Sequence, residues 1–101
     1  MPFSLRFHPE PNLDILNATL WYEEQRPGLG GEFLDQLSSV FARVEIGPLQ
    51  FPSIDGSVHR ALLHRFPYGV YFDPTGEEVK VLAILHLFRH PDTWKKRRSK
   101  E

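Results

Sequence analysis

Four histidines and three arginines in the second half of the chain are the side chains best suited to acid–base and phosphate chemistry. Histidine titrates near neutrality and arginine keeps its positive charge. The candidates are His59, His64, His86, His90, Arg60, Arg65 and Arg89. Cleavage of RNA without a metal needs a base for the 2′-hydroxyl, cations for the phosphorane charge and an acid for the leaving oxygen. The candidate catalytic residues are Arg65 on a strand, His86 on the last strand and Arg89 just past it, and we expect the two arginines to converge on the open sheet face.

The C-terminal end carries a second set of candidates, because four basic residues follow a tryptophan there. Such a run suits contact with phosphate or with a partner's carboxylates, and in the free chain we expect residues 95–101 to form a flexible basic tail. The tryptophan either stacks on a base or covers the end of the sheet. The candidate binding residues are Arg60, Trp94, Lys95, Lys96, Arg97 and Arg98.

Structural roles compete with these functional ones. Arg60 and Arg65 are equally suited to pairing with helix carboxylates such as Glu23 or Asp35. His86 inside an apolar strand fits a hydrogen-bonded core histidine as well as a catalyst. No spacing of ligand residues favours a metal, and we expect neither a metal nor another cofactor.

Length and composition limit the chain to one small globular domain, residues 1–101. It is 41% hydrophobic and has no cysteine, and folding should bury about 65% of the surface of the unfolded chain. The lack of cysteine excludes a disulfide scaffold, and no apolar run is long enough to cross a membrane. With no signal-peptide pattern at the N-terminus, these features predict a cytoplasmic protein without a membrane partner.

The two halves of the chain differ in charge although the net charge is −1. Residues 1–56 hold three Lys or Arg against eight Asp or Glu, and residues 57–101 hold nine against five. This asymmetry indicates an acidic face and a basic face on one body.

Apolar residues at helical spacing predict two helices in the first half. In the first helix, capped by Asn12, the apolar stripe is Leu13, Leu16 and Leu20, widened by Ile15, Ala18 and Tyr22. In the second helix, which Gly47 and Pro48 end, the stripe is Phe33, Leu37, Val40 and Val44. A short glycine-rich connection predicts an antiparallel helical hairpin, and we expect the second stripe to face the sheet above Val81, Ala83 and Leu85.

Alternating patterns predict a short edge strand at residues 5–7 and three strands at residues 58–66, 68–73 and 79–87, the last one central. The order is therefore β-α-α-β-β-β, an α+β fold in which the helical hairpin packs on one face of a twisted antiparallel sheet. For so small a chain, aromatic residues are abundant, and we expect Trp21, Tyr22, Phe51 and Phe72 to serve partner binding.

An ordered set of short motifs along nearly the whole chain resembles the RelE/ParE superfamily of bacterial toxins, which includes plasmid stabilisation proteins. The motifs are Trp21-Tyr22-Glu23, Pro27-Gly28-Leu29-Gly30, Glu32-Phe33-Leu34, Phe51-Pro52, Arg60-Ala61-Leu62-Leu63, Arg65-Phe66-Pro67-Tyr68, Val70-Tyr71, Ile84-Leu85-His86, Arg89-His90-Pro91 and Trp94-Lys95-Lys96-Arg97. The resemblance implies a toxin that a cognate antitoxin wraps and silences. It also implies one of two actions: metal-free cleavage of mRNA on the ribosome, or inhibition of DNA gyrase through protein contacts.

Three departures from the nuclease branch of this superfamily affect the choice between the two actions. Gly69 stands where the resemblance implies an arginine, residues 48–57 hold no basic residue, and Leu87 and Phe88 replace two basic residues before Arg89. We therefore expect a gyrase-inhibitor type of toxin. The alternatives are a ribosome-dependent endoribonuclease and an attenuated, non-toxic member that binds only its antitoxin.

Overall fold

The computed structural model describes residues 3–98, which form one sheet and three α-helices. The elements are β1 (Ser4–Phe7), α1 (Pro9–Gln25), α2 (Leu29–Ile46), a 3₁₀ turn (Pro48–Gln50), β2 (Ser53–Asp55), β3 (Val58–Leu62), β4 (Tyr68–Thr75), β5 (Glu78–His86) and α3 (Thr93–Arg98). None of the helices in this part of the chain is long and apolar enough to span a membrane.

The strands form one sheet in the order β1-β5-β4-β3-β2, with α1 and α2 packed as a hairpin on one face. The predicted α+β architecture is confirmed. The sheet is mixed rather than wholly antiparallel, because β1 runs parallel to β5 while every other pair is antiparallel. Apolar alternation predicts a strand but not the strand with which it pairs. The sequence pattern therefore could not predict that β1 runs parallel to β5.

The α2 stripe packs against the sheet as predicted. Phe33, Leu37, Val40 and Val44 are all buried, and Val81 of β5 belongs to the same cluster. Ala83 and Leu85 lie instead in a second cluster on the opposite face of the sheet. Tyr71 pairs with Ala83 and Phe72 pairs with Val81, so Leu82 is an extra residue in β5. This bulge places Val81 and Ala83 on opposite faces of the sheet.

The α1 stripe, in contrast, faces solvent. Leu13, Leu16 and Leu20 are 51–56% exposed, and the buried residues of α1 are Pro11, Ala18 and Tyr22. The helix begins at Pro9, with His8 rather than Asn12 at the N-cap position. Proline is favoured in the first helical turn because its missing N–H has no helical partner there.

Both ends of the second half differ from the sequence prediction. The strand predicted at residues 58–66 ends at Leu62. A short strand that was not predicted, β2, comes before this strand. The basic tail expected from residue 95 is helical as far as Arg98, and residues 99–101 lie outside the described part. The helix forms because Trp94 is buried against the sheet and anchors the segment.

Candidate functional site

The pocket that contains two of the three catalytic candidates lies between α1, the end of β5 and the segment leading to α3. It has a volume of about 370 Å³ and is named here the α1–β5 pocket. Its lining includes Trp21 from α1, Tyr68 from β4, His86 from β5, and Arg89 and His90 from the following turn. The structure therefore brings the candidates His86 and Arg89 together.

His86 is held in the α1–β5 pocket by its neighbours in the chain and in the sheet. Its ring makes an edge contact with Tyr68 at 5.3 Å between centroids, and its Nδ1 accepts the N–H of Phe88 at 3.2 Å. Burial lowers the pKa of His86, and electrostatic repulsion from Arg89 and then His90 lowers it further. His86 is thus a neutral imidazole at physiological pH, and because Nδ1 accepts a hydrogen bond, Nε2 carries the proton and acts as a donor.

Arg89 is exposed and contacts an aromatic ring in the same pocket. Its guanidinium lies 5.5 Å from the ring centroid of Trp21, a cation–π contact. Burial raises the pKa of Tyr68, whose hydroxyl therefore stays protonated at neutral pH. The pocket thus combines a cation, a neutral histidine and a phenol with an exposed indole.

We expect NMR titration to place the pKa of His86 below the ordinary value of 6.5, and Arg89→Ala to raise it by removing a like charge. Arg6→Ala should leave it unchanged, because Arg6 on β1 pairs with Lys80 near the opposite end of β5. As the pH falls, His86 is protonated in the unfolded chain before it is protonated in the folded chain. The free energy of unfolding should therefore decrease as the pH falls from 6.5 through the lowered pKa of His86. A pKa of His86 that is unaffected by Arg89→Ala would contradict this electrostatic account.

Arg65, the third catalytic candidate, lies elsewhere. It is in the turn between β3 and β4, not on a strand, and has a left-handed backbone with φ of 73°. Its Nη2 donates to Glu32 Oε1 at 2.8 Å, and Arg26 binds the other oxygen at 3.1 Å. The hydrogen bonds from Arg65 and then Arg26 lower the pKa of Glu32.

The expected convergence of Arg65 and Arg89 is therefore not seen. Arg65 lines a separate groove against α2, and it pairs with a helix carboxylate as the structural alternative predicts. That carboxylate belongs to Glu32, whereas Glu23 accepts the N–H groups of Gly28 and Gly30 at the start of α2.

Residues of the basic segment anchor α3 to the body of the protein. Trp94 is buried and stacks on Tyr71 at 6.0 Å between centroids, so it covers the sheet. Arg98 reaches Asp55 at 3.5 Å, and Lys95 reaches Asp92 at the same distance. The segment is thus largely engaged in contacts within the chain.

Arg97 and Asp14 form the main anchor of α3. Two nitrogens of Arg97 bind the two oxygens of Asp14, and both side chains are about 15% exposed. Arg97 also donates to the carbonyl of Leu82 at 3.2 Å, and Asp14 accepts the N–H of Ile84 at 3.0 Å. These two side chains thus form hydrogen bonds with backbone groups of β5 that lie beyond the end of β1. No sequence pattern indicated this role.

Arg60 takes up the space that Gly69 leaves on the sheet face opposite the helical hairpin. A Cβ at Gly69 would lie 3.2 Å from Cγ and Cδ of Arg60 and 3.2 Å from the side chain of Leu87. The Arg60 stem therefore lies across the position where the nuclease resemblance implies an arginine. Within residues 3–98, no group of three or more His, Asp or Glu side chains is arranged to hold a metal ion.

Comparison with solved structures gives a clear similarity in fold. This chain is similar to a chain of the structure described as "Chromosomal ParDE TA system from P. aeruginosa", with a TM-score of 0.73 and 19% sequence identity. The match covers 83% of this chain and 95% of that chain. No family model matches the sequence, and no curated protein matches it. The similarity confirms a RelE/ParE-like fold.

Proposed function

We propose that this chain is the toxin of a type II toxin–antitoxin system, that a cognate antitoxin neutralises it, and that it acts by protein contact as gyrase inhibitors do. The shared fold with a chain of the ParDE system supports the toxin assignment. The observation that carries the mechanism is the separation of the two arginines. Arg65 is paired with Glu32 in one groove, while Arg89 lies with His86 in another.

This separation matters because metal-free cleavage of RNA depends on cations placed together at the phosphorane. Of the two candidate catalytic arginines, Arg89 lines the α1–β5 pocket, and its guanidinium rests on Trp21. Arg97 lines the pocket as well, but its guanidinium is bound to both oxygens of Asp14. An exposed arginine over an indole is typical of a protein-binding hot spot, in which arginine and tryptophan are enriched. We therefore assign Arg89 and Trp21 to contact with a target protein.

A second candidate function is a ribosome-dependent endoribonuclease. The pairing of a neutral His86 with Arg89 and the hydroxyl of Tyr68 favours it, since these groups offer hydrogen-bond donors and a charge stabiliser in one pocket. A third is an attenuated member that binds its antitoxin without toxicity. The three differ in whether expression arrests growth and whether mRNA is cut.

The antitoxin surface that we propose is the exposed face of α1. Of the aromatic residues expected to bind a partner, Tyr22, Phe51 and Phe72 are buried, whereas Trp21 is 43% exposed. The exposed stripe of Leu13, Leu16 and Leu20 runs beside Trp21 and forms an apolar surface for an amphipathic helix. Such a partner should bury on the order of 2,000 Å² or more in all.

Leu16→Lys should weaken binding of the antitoxin encoded beside this chain by about 10-fold or more, because it places a charge within the apolar stripe. Leu49→Lys is the matched control, since Leu49 is 71% exposed on the 3₁₀ turn away from α1. Calorimetry with the purified product of each neighbouring reading frame measures the effect. The proposal is wrong if no such product binds the unaltered chain.

A further inference from the structure

The outer edge of β3 is only partly covered by its neighbouring strand. β2 pairs with β3 as far as His59, and the N–H of Arg60 donates to the carbonyl of Pro52 just before β2. Since Leu63 N–H donates to the carbonyl of Tyr68 on β4, the alternation of an antiparallel ladder directs the N–H and C=O of Leu62 outward. Within residues 3–98, no strand pairs with these outward groups. The fold thus leaves an open hydrogen-bonding edge.

A groove lies beside this edge, between α2 and the turn that follows β3. Its volume is about 350 Å³, and its lining includes Val40 and Arg43 from α2 and His64 and Arg65 from the turn. The side chain of Leu62 at the edge is 52% exposed. An open edge with a groove for alternate side chains is the arrangement that accepts an added peptide strand.

The charges around the groove favour a negatively charged occupant. Two carboxylates, Glu32 and Asp35, lie in the lining of the groove with Arg43 and Arg65. Since Arg26 also binds Glu32, three arginines face two carboxylates and leave a net positive charge. The guanidinium of Arg43 lies over the ring of Phe51 at 5.2 Å, and no carboxylate within the described residues pairs with it. Arg43 is therefore available for a carboxylate on an incoming strand.

We propose that the open edge of β3 accepts an extended acidic segment of a partner protein as an additional strand. In this added strand, the residue opposite Leu62 exchanges backbone hydrogen bonds with Leu62 and packs an apolar side chain against the Leu62 side chain. The residues on either side point to the α2 face and bring carboxylates to Arg43. Two copies of this chain paired at this edge would instead bring two cationic grooves together. The site is separate from the α1 stripe and the α1–β5 pocket and does not depend on the proposed function.

The test uses a blocked eight-residue peptide of alternating valine and glutamate, added to the full chain at neutral pH. We expect it to shift the amide signals of residues 60–64 in NMR spectra and to slow hydrogen exchange at Leu62. The same peptide with lysine in place of glutamate should bind about 10-fold more weakly or worse, because it loses the ion pair. A peptide N-methylated at its central valine should lose as much, because it lacks a backbone donor.

Protein variants separate the edge from the rest of the surface. Leu62→Pro removes an outward N–H that makes no bond in the sheet, and Arg43→Glu reverses the proposed partner charge; both should abolish the shifts. Arg6→Glu changes the net charge equally at the opposite edge and should bind as the unaltered chain does. If Leu62→Pro unfolds, the N-methylated peptide still isolates the backbone bond.

Three results would overturn the proposal: equal binding of the lysine peptide, signal shifts confined to α1 or the α1–β5 pocket, or no shifts at residues 60–64. Concentration-dependent shifts at Leu62 without any peptide would show that a second copy occupies the edge, and would also count against it. Each readout is independent of toxicity and of the antitoxin.

Discussion

Leu37→Ala should lower the free energy of unfolding by about 2–5 kcal/mol, because it opens a cavity that its neighbours fill only in part. Leu37 lies on α2 with 2% of its surface exposed, within the cluster that includes Phe33 and Val81. Urea unfolding followed by circular dichroism measures the change, with the slope of the transition checked for two-state behaviour.

Leu16→Ala is the matched control for this experiment. It makes the same substitution at a leucine of α1 that is 51% exposed, and it should cost less than about 1 kcal/mol. The pair thus tests which helix face is packed. Similar costs at Leu37 and Leu16 would contradict the assignment of the α1 stripe to the surface.

The contrast between the two leucines shows what helical spacing can and cannot predict. The spacing predicts both helices, but it identifies a buried face only where a helix has one apolar side. On α2 that side is clear. On α1 apolar residues surround much of the helix, and the sheet takes Ala18 and Tyr22 while Leu13 and Leu20 face solvent.

The candidate site was predictable in part for a related reason. His86 and Arg89 are close in sequence at the end of one strand, so their meeting follows from local structure. The alternating pattern predicts Arg65 on a strand, but its backbone is left-handed and its side chain pairs with Glu32. The contact of Asp14 with Arg97 joins residues 83 positions apart, and no local pattern encodes such a pair.

The position of Trp94 and Arg97 also determines how the basic segment can be tested. Removing residues 94–101 would take away the buried indole and the partner of Asp14, and a loss of toxicity would then report unfolding. Arg89 offers a cleaner test. It is exposed, and within the described residues it makes no ion pair with a carboxylate.

If expression without the antitoxin arrests growth, we expect induction of the DNA-damage response with mRNA left intact, because a gyrase inhibitor traps cleaved DNA. Arg89→Ala should then relieve the arrest. The loss of a hot-spot arginine costs about 2 kcal/mol or more, which is roughly a 30-fold loss of target affinity. Arg6→Ala changes an exposed arginine opposite Lys80, near the other end of β5, and should remain as toxic as the unaltered chain.

The state of mRNA in the two arginine variants separates the two mechanisms. For a nuclease built on the α1–β5 pocket, the cation of Arg89 is worth about 10²–10³ in rate, so ribosome-dependent cuts in mRNA would disappear in Arg89→Ala and persist in Arg65→Ala. For a protein-contact toxin, Arg65→Ala leaves toxicity unchanged, since Arg65 is paired with Glu32 away from the α1–β5 pocket. Cleaved codons that depend on Arg89 would therefore move this protein to the nuclease mechanism, and no arrest at all would leave antitoxin binding as its activity.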